Sequence, residues 1–274
     1  MNRFATALVF CTHFVLIPFS VEAGLITVLE RESSSRNELL AGSGGALQLH
    51  NESAATNALT GGFSFSDNGF VDVTTSDFGS TGAASASGSI SVSDNVIQTT
   101  PDALTLQATR TASGSATYLS GNGLARSEQR QEFRVRFRIE DDPIYYRLTG
   151  DFDPGVVGAF TSASAMRLHR PFTTLEFFDI TTNTPFVNET GVLPLGPSNS
   201  ARIYEFRIRL DDVSGASAQN QGPFSDASDF NVQLELSSTP FTSSTVPEPS
   251  SMCCAIAFSV FGLMRRKKRA SGGR

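Results

Sequence analysis

The sequence predicts an all-β fold, an antiparallel β-sandwich of the jelly-roll kind, and three observations carry that expectation. Apolar and polar residues alternate strictly over several segments, the mark of strands with one buried face. Turn residues separate these segments at short intervals, at Asp67-Asn68-Gly69, Asp153-Pro154-Gly155, Leu195-Gly196-Pro197 and Gly222-Pro223. No long stretch repeats at a helical period, and many short strands bury their apolar faces by packing sheet on sheet.

Taken along the chain, strands are expected at Leu25–Leu29, Gly62–Phe65, Phe70–Val73, Ser89–Ile97, Ala103–Thr109 and Ser113–Tyr118. The Gly-, Ser- and Ala-rich stretch from Gly79 to Ser93 reads either as a flexible surface excursion or as strand with small outward residues; its periodicity fits both. Alternation is clearest from Glu132 to Glu140, where Phe133, Val135, Phe137 and Ile139 interleave with Arg134, Arg136 and Arg138. Ile144–Thr149, Ala165–Leu168, Thr174–Ile180 and Phe186–Glu189 follow. Arg202 to Leu210 sets Tyr204, Phe206, Ile208 and Leu210 against Glu205, Arg207 and Arg209, and Ser228 to Leu236 sets Phe230, Val232, Leu234 and Leu236 against Asn231, Gln233 and Glu235.

Composition narrows the function. The chain has 274 residues, enough for one sizeable β-domain or two small ones once roughly 50 residues of terminal signals are set aside, and one domain is expected. Between Gly24 and Val246 stand 14 arginines and 25 acidic residues, a net charge of −11. Nucleic acid is excluded as a partner, because phosphate binding rests on clustered cations. Cys11, Cys253 and Cys254 all lie in apolar terminal segments. The middle of the chain therefore holds no disulfide and no cysteine zinc site, and must stand on core packing and sheet hydrogen bonds.

The ends carry the most specific signals. Met1-Asn2-Arg3, an apolar run from Phe4 to Phe19, and Val21-Glu22-Ala23 before Gly24 make a secretory signal peptide, 1–23, cleaved between Ala23 and Gly24. At the other end come Val246-Pro247-Glu248-Pro249, an almost wholly apolar Ser250 to Met264, and then Arg265-Arg266-Lys267-Lys268-Arg269. About 15 helical residues reach only about 22 Å, short of a hydrocarbon core of about 30 Å. The cations hold the tail on the cytoplasmic side and leave the preceding chain outside. Pro247 and Pro249 disfavour helix and keep the motif extended, as a protease cleft requires, with Glu248 as one fixed charge. Cys253 and Cys254 read either as lipidation sites or as small apolar residues.

This order of motif, short membrane helix and basic end resembles the PEP-CTERM sorting signal over Val246 to Arg274. The resemblance implies an exported bacterial protein, held transiently in the inner membrane and processed by an exosortase, a membrane transpeptidase, for the cell surface or extracellular matrix. The part from Ser127 to Thr239 also resembles the closing half of many PEP-CTERM ectodomains: Tyr146, Leu148 and Gly150 form Tyr-x-Leu-x-Gly, and Gly191 to Pro197 form Gly-x-Leu-x-Leu-Gly-Pro. That likeness implies a β-sandwich and no activity. The expected organisation is a signal peptide 1–23, an ectodomain 24–236, a polar linker 237–245 and a sorting signal 246–274.

Catalysis finds few candidates. His50 and His169 stand far apart, outside any ligand spacing, and no Gly-x-Ser-x-Gly elbow, P-loop or H-E-x-x-H motif occurs. No catalytic residue and no obligate cofactor are expected. The acidic pairs Asp141-Asp142, Asp151 with Asp153, Asp211-Asp212 and Asp226 with Asp229 read as solvated turn acids, as a calcium site, for which Asp211, Asp212, Asp226 and Asp229 are the candidates, or as glycoside-hydrolysing carboxylates. The Arg134, Arg136 and Arg138 row reads either as a charge ladder against Glu205 or Glu235 or as a cationic stripe for anionic polysaccharide. The expected role is structural or adhesive, with a calcium-dependent carbohydrate-binding module as the alternative and a glycan-processing enzyme as a remote one.

Overall fold

Strict alternation puts one side of a strand in the core and the other in water, and the long strand carrying the Phe133 to Ile139 run does this along its whole length. The computed structural model describes residues 26–75, 82–140, 143–155, 164–171 and 173–241. Among them the chain forms twelve strands: β1 (Ile26–Ser43), β2 (Ala46–Thr56), β3 (Gly61–Thr75), β4 (Gly82–Thr100), β5 (Ala103–Ser120), β6 (Leu124–Ile139), β7 (Ile144–Asp153), β8 (Ala165–His169), β9 (Glu176–Ile180), β10 (Thr184–Leu193), β11 (Ile203–Ser217) and β12 (Pro223–Ser237). One 3-10 turn, Ser200–Arg202, precedes β11.

The strands form two six-stranded antiparallel sheets packed face to face. Sheet A runs β2-β1-β6-β11-β8-β9 and sheet B runs β10-β7-β12-β5-β4-β3. From β5 onward the chain passes from one sheet to the other at each step except the β8–β9 hairpin. The first and last strands end at the same place. The Ile26 amide donates to Pro101 O at 2.7 Å and the Ser238 amide to Asp102 O at 3.2 Å, both on the β4–β5 turn. The chain divides into a unit ending at Thr239 and a second unit, Pro240–Arg274, of which only residues 240 and 241 are described.

Several expected strands are pieces of longer ones. Gly62–Phe65 and Phe70–Val73 merge into β3, because Asp67-Asn68-Gly69 is not a turn: Asp67 points inward, and Gly69 stays in register with Gly88. Ala103–Thr109 and Ser113–Tyr118 merge into β5 across Arg110, whose guanidinium is buried in the sandwich. From Gly82 the small-residue stretch is strand, with Ala84, Ala86, Gly88, Ile90 and Val92 inward and serines outward. Strand β2 was not expected at all, because Gln48, His50 and Glu52 interrupt its apolar pattern.

The core has two main parts and a small third cluster of Ile90, Val92 and Ala112, against which Phe63 and Phe65 pack. The larger lies toward the Pro101–Asp102 end and holds Phe133, Val135, Phe137 and Ile139 of β6 against Tyr204, Phe206, Ile208 and Leu210 of β11, facing Leu104, Leu106, Leu234 and Leu236 of sheet B. Its rings pack edge to face, as in Phe133–Phe206 with centroids 6.1 Å apart, or stacked, as in Phe137–Tyr204 at 6.0 Å. The smaller part, at the opposite end, is made of Leu39, Val71, Val73 and six alanines.

Candidate functional site

Three surfaces could carry function: the outer face of each sheet and a polar belt between the two cores. On the outer face of sheet A the arginine row is paired. Arg134 meets Glu30 at 2.6 Å and Glu32 at 2.7 Å, Arg136 meets Glu205 at 2.6 Å and Glu30 at 2.9 Å, and Arg138 meets Glu140 at 2.5 Å. The hydrogen bond from Arg136 to Glu205 leads the interactions that hold its guanidinium above its usual pKa. Glu235, the other expected partner, lies on sheet B with Arg147 at 2.6 Å. Asp211 and Glu128 are buried beneath arginine stems on the same face, with Arg130 at 2.6 Å from Asp211 and 3.4 Å from Glu128. Such a ladder contributes about 0.2–1 kcal/mol per exposed pair. Its cations are occupied by carboxylates, which weakens the alternative of a stripe for anionic polymer.

The outer face of sheet B is different in kind. Ser85, Ser87, Ser89, Ser91 and Ser93 of β4 stand beside Thr117, Ser115, Ser113, Thr111 and Thr109 of β5. Hydroxyls pair directly at Ser87–Ser115, 2.8 Å, and Ser89–Ser113, 2.9 Å. Gln107 donates to Gln233 at 2.9 Å and continues the amide and hydroxyl lattice toward β12. A shallow hollow of 510 Å³ lies over Gly88 and Gly114, rimmed by Ser87, Ser113 and Ser225. Over β4 and β5 this face offers neutral donors and acceptors, whereas β7 and β12 add Asp151, Asp153, Asp229 and the Arg147–Glu235 pair.

Between the two cores the inward residues turn polar. Arg31 of β1 pairs with Asp94 of β4 at 2.5 Å and also donates to Gly61 O at 2.7 Å. Arg110 of β5 pairs with Asp212 of β11 at 2.7 Å and donates to Gln129 O at 3.0 Å, while Ser228 donates to the same Asp212 oxygen at 2.6 Å. All four charged side chains are at most 1% exposed. Burial pushes the Asp94 carboxyl up, against the opposing hydrogen bonds from Arg31 and Ser33. The belt continues through Gln129, which donates to Asn37 at 2.9 Å, and Asn37, which donates to Asp67 at 2.7 Å; His50 Nε2 lies 2.7 Å from the same Asp67 oxygen. Burial alone would raise the Asp67 pKa, but hydrogen bonds from His50 and Asn37 together hold it below the usual carboxylate value.

Glycines make room for this belt. Gly69, Gly88 and Gly114 are consecutive register partners across β3, β4 and β5. A Cβ on Gly88 would run into the Gln129 amide and stand 2.9 Å from Leu39 Cδ2, and one on Gly114 would strike Gln129 and stand 2.6 Å from Ser127 Oγ. We therefore expect Gly114→Ala to cost about 1–3 kcal/mol by overpacking. In a denaturant double-mutant cycle, Gly114→Ala combined with Gln129→Ala should cost about 1 kcal/mol less than the sum of the two. Additive values would remove Gln129 as the reason for the glycine.

The four aspartates considered for calcium do not converge. Neighbouring residues of a strand point to opposite faces, so Asp211 sits outside on Arg130 and Arg209 while Asp212 sits inside on Arg110 and Ser228. Asp226 is buried and accepts from the Ala227 amide at 2.9 Å, and Asp229 is outside, 3.4 Å from Thr111 Oγ1. Among the described residues no three His, Cys, Asp or Glu side chains form a metal group. His169 stands 3.7 Å from Glu205 on the outer face of sheet A, and no hydroxyl, thiol or amine is bonded to either histidine among the described residues. Ala23 and Gly24, Asp141-Asp142, Val246-Pro247-Glu248-Pro249, the apolar segment 250–264 and the basic run Arg265, Arg266, Lys267, Lys268 and Arg269 lie outside the described residues.

The belt escaped sequence reasoning because Arg31, Ser33, Ser35 and Asn37 alternate as a polar row, which reads equally well as a solvent face. The one available signal was that Leu39 and Ala41 continue the same parity into apolar residues. Compared with known proteins, the chain matches no family model, no curated protein and no solved structure.

Proposed function

We propose that the chain is an exported cell-surface or extracellular-matrix protein of structural or adhesive role, sorted by a PEP-CTERM-type signal and processed by an exosortase-type transpeptidase. The carrying observation is the ordered C-terminal sequence of Pro247-Glu248-Pro249, apolar Ser250 to Met264 and basic Arg265 to Arg269. The sandwich adds support. It begins and ends at the Pro101–Asp102 turn, where the Ile26 and Ser238 amides are both bonded, and its longest strand has 19 residues. We read the sandwich as a jelly roll of β5 to β12, on the orders β5-β12-β7-β10 and β6-β11-β8-β9, with β1 to β4 widening each sheet by two strands.

Glu248→Ala is expected to leave export intact and to accumulate an unprocessed form in the inner membrane, seen by fractionation and mass spectrometry. Recovery of Arg274-containing peptides from wild-type protein at the cell surface would refute processing. Carbohydrate binding is the second reading, favoured by the uncharged hydroxyl and amide rows of β4 and β5 on sheet B. Its calcium-dependent form gains no support from Asp211, Asp212, Asp226 and Asp229, which are split between the two faces. Glycan-array binding insensitive to EDTA is the form this second reading takes.

A further inference from the structure

We propose that a second copy of this chain docks on the uncharged end of sheet A, edge to edge along β2. On the outer face there, Leu47, Leu49 and Leu124 are 64%, 58% and 49% exposed. They belong to adjacent strands: Leu47 lies beside Gly42, which pairs in turn with Leu124, and Leu49 lies beside Leu40. A hollow of 430 Å³ lined by Leu124, Val213 and Gly215 extends the patch across β6 and β11. Three leucines exposed together on a continuous face mark a contact surface, where scattered ones would not.

The backbone points the same way. β2 ends sheet A and has a neighbour on one side only. Sheet edges are usually blunted by charge, proline or brevity, and the other three are. β9 has five residues and carries Glu176 and Asp179, β10 carries Pro185 and Glu189, and on β3 the Asp72 amide is taken by Gln48 Oε1 at 3.2 Å. From Ala46 to Asn51, β2 has no acidic residue, no Lys, no Arg and no Pro.

Charge selects the occupant. Residues 39–51, 111–125 and 213–225, which build most of this end, contain no Asp, Glu, Lys or Arg; of the charges beside them, Arg126, next to Leu40 and on the rim of the hollow, is held by Glu128, and Asp72 of β3 stands at the Gln48 side chain. The chain between Gly24 and Val246 carries −11, so two copies repel wherever acidic surfaces face each other and meet with less of that cost here. An antiparallel two-fold pairing about Gln48 sets Leu47 opposite Leu49 of the second copy and satisfies both free edges, the self-complementary contact a symmetric dimer requires. The pairing does not depend on how the protein is sorted.

Sedimentation velocity of the full chain in detergent micelles at tens of micromolar tests it. A dimer is expected, with Leu49→Arg raising its dissociation constant at least ~10-fold and Leu47→Glu doing the same. Thr109→Arg, on the outer face of sheet B, should leave the dimer unchanged, and both β2 variants should keep the wild-type unfolding midpoint because their side chains are exposed. A monomeric wild type overturns the proposal. So does a dimer that survives both β2 substitutions, since it would be held elsewhere.

Discussion

Arg110→Met is expected to lower the thermal unfolding midpoint by roughly 10 °C, from a loss of about 3–5 kcal/mol. The Arg110 guanidinium is fully buried between the sheets and is one of two donors to Asp212 Oδ2, the other being Ser228. Removing it leaves a carboxylate in the core with a single hydroxyl for company, and it frees Gln129 O of a donor as well. The cost comes from the unpaired charge, not from the pair's own strength. Arg110 Nη1 and Asp212 Oδ1 find no hydrogen-bond partner among the described residues, so the pair itself is incompletely satisfied. Arg110→Met together with Asp212→Leu should therefore regain most of the loss and come within about 1 kcal/mol of wild type. Circular dichroism melts of the two single variants and the double decide it. If the double is as unstable as Arg110→Met, the ion pair is a net stabiliser and the argument fails.

Gly150→Ala is expected to cost about 3 kcal/mol or more, or to prevent folding. Gly150 has a φ of 132°, which an L-residue adopts only under strain of about 1–3 kcal/mol. Its Cβ would strike Asn231 O and lie 2.9 Å from Val232 Cα, both backbone atoms of β12. Overpacking adds about 1–3 kcal/mol when the obstacle cannot turn aside. β7 cannot move to relieve it, because it is paired with β10 on one side and β12 on the other. Gly62→Ala is the control: the only atom near its Cβ is Asp94 O at 3.9 Å, and the change should lie within about 0.5 kcal/mol. Equal denaturation midpoints for the two variants would show that the crowding at Gly150 relaxes freely.

The same residue shows what a motif can and cannot tell. Tyr-x-Leu-x-Gly and Gly-x-Leu-x-Leu-Gly-Pro were legible as strings, but their reasons are spatial. Gly150 is there for its φ and for Asn231, Gly191 because the Tyr146 ring of the neighbouring strand lies across it with Cζ 2.7 Å from where a Cβ would stand, and Gly196 because Ala201 crowds it. Each neighbour is close in space and distant in sequence, apart from Ala201. The ladder was half legible. Parity put the arginines and Glu205 on polar faces and left Glu205 and Glu235 as alternative partners, of which β6 beside β11 selects Glu205, whereas Arg134 with Glu30 and Glu32 needed β1 beside β6, a pairing of residues about a hundred positions apart that no local pattern encodes.

By itself the sequence determined that the chain is all-β, which residues of its apolar runs face inward, and that its middle is acidic and free of cysteine. Period-two alternation and composition are local properties, and side-chain parity along a strand follows from them directly. Only the tertiary structure decided that Arg31, Asp94, Arg110 and Asp212 are core residues, that Asp211 and Asp212 part to opposite faces, and that β2, free of charge from Ala46 to Asn51, is left as an open edge. A polar row in a strand looks the same whether it faces water or a second sheet. Which of the two it meets depends on the strand order, and that is set by contacts between segments far apart in the chain.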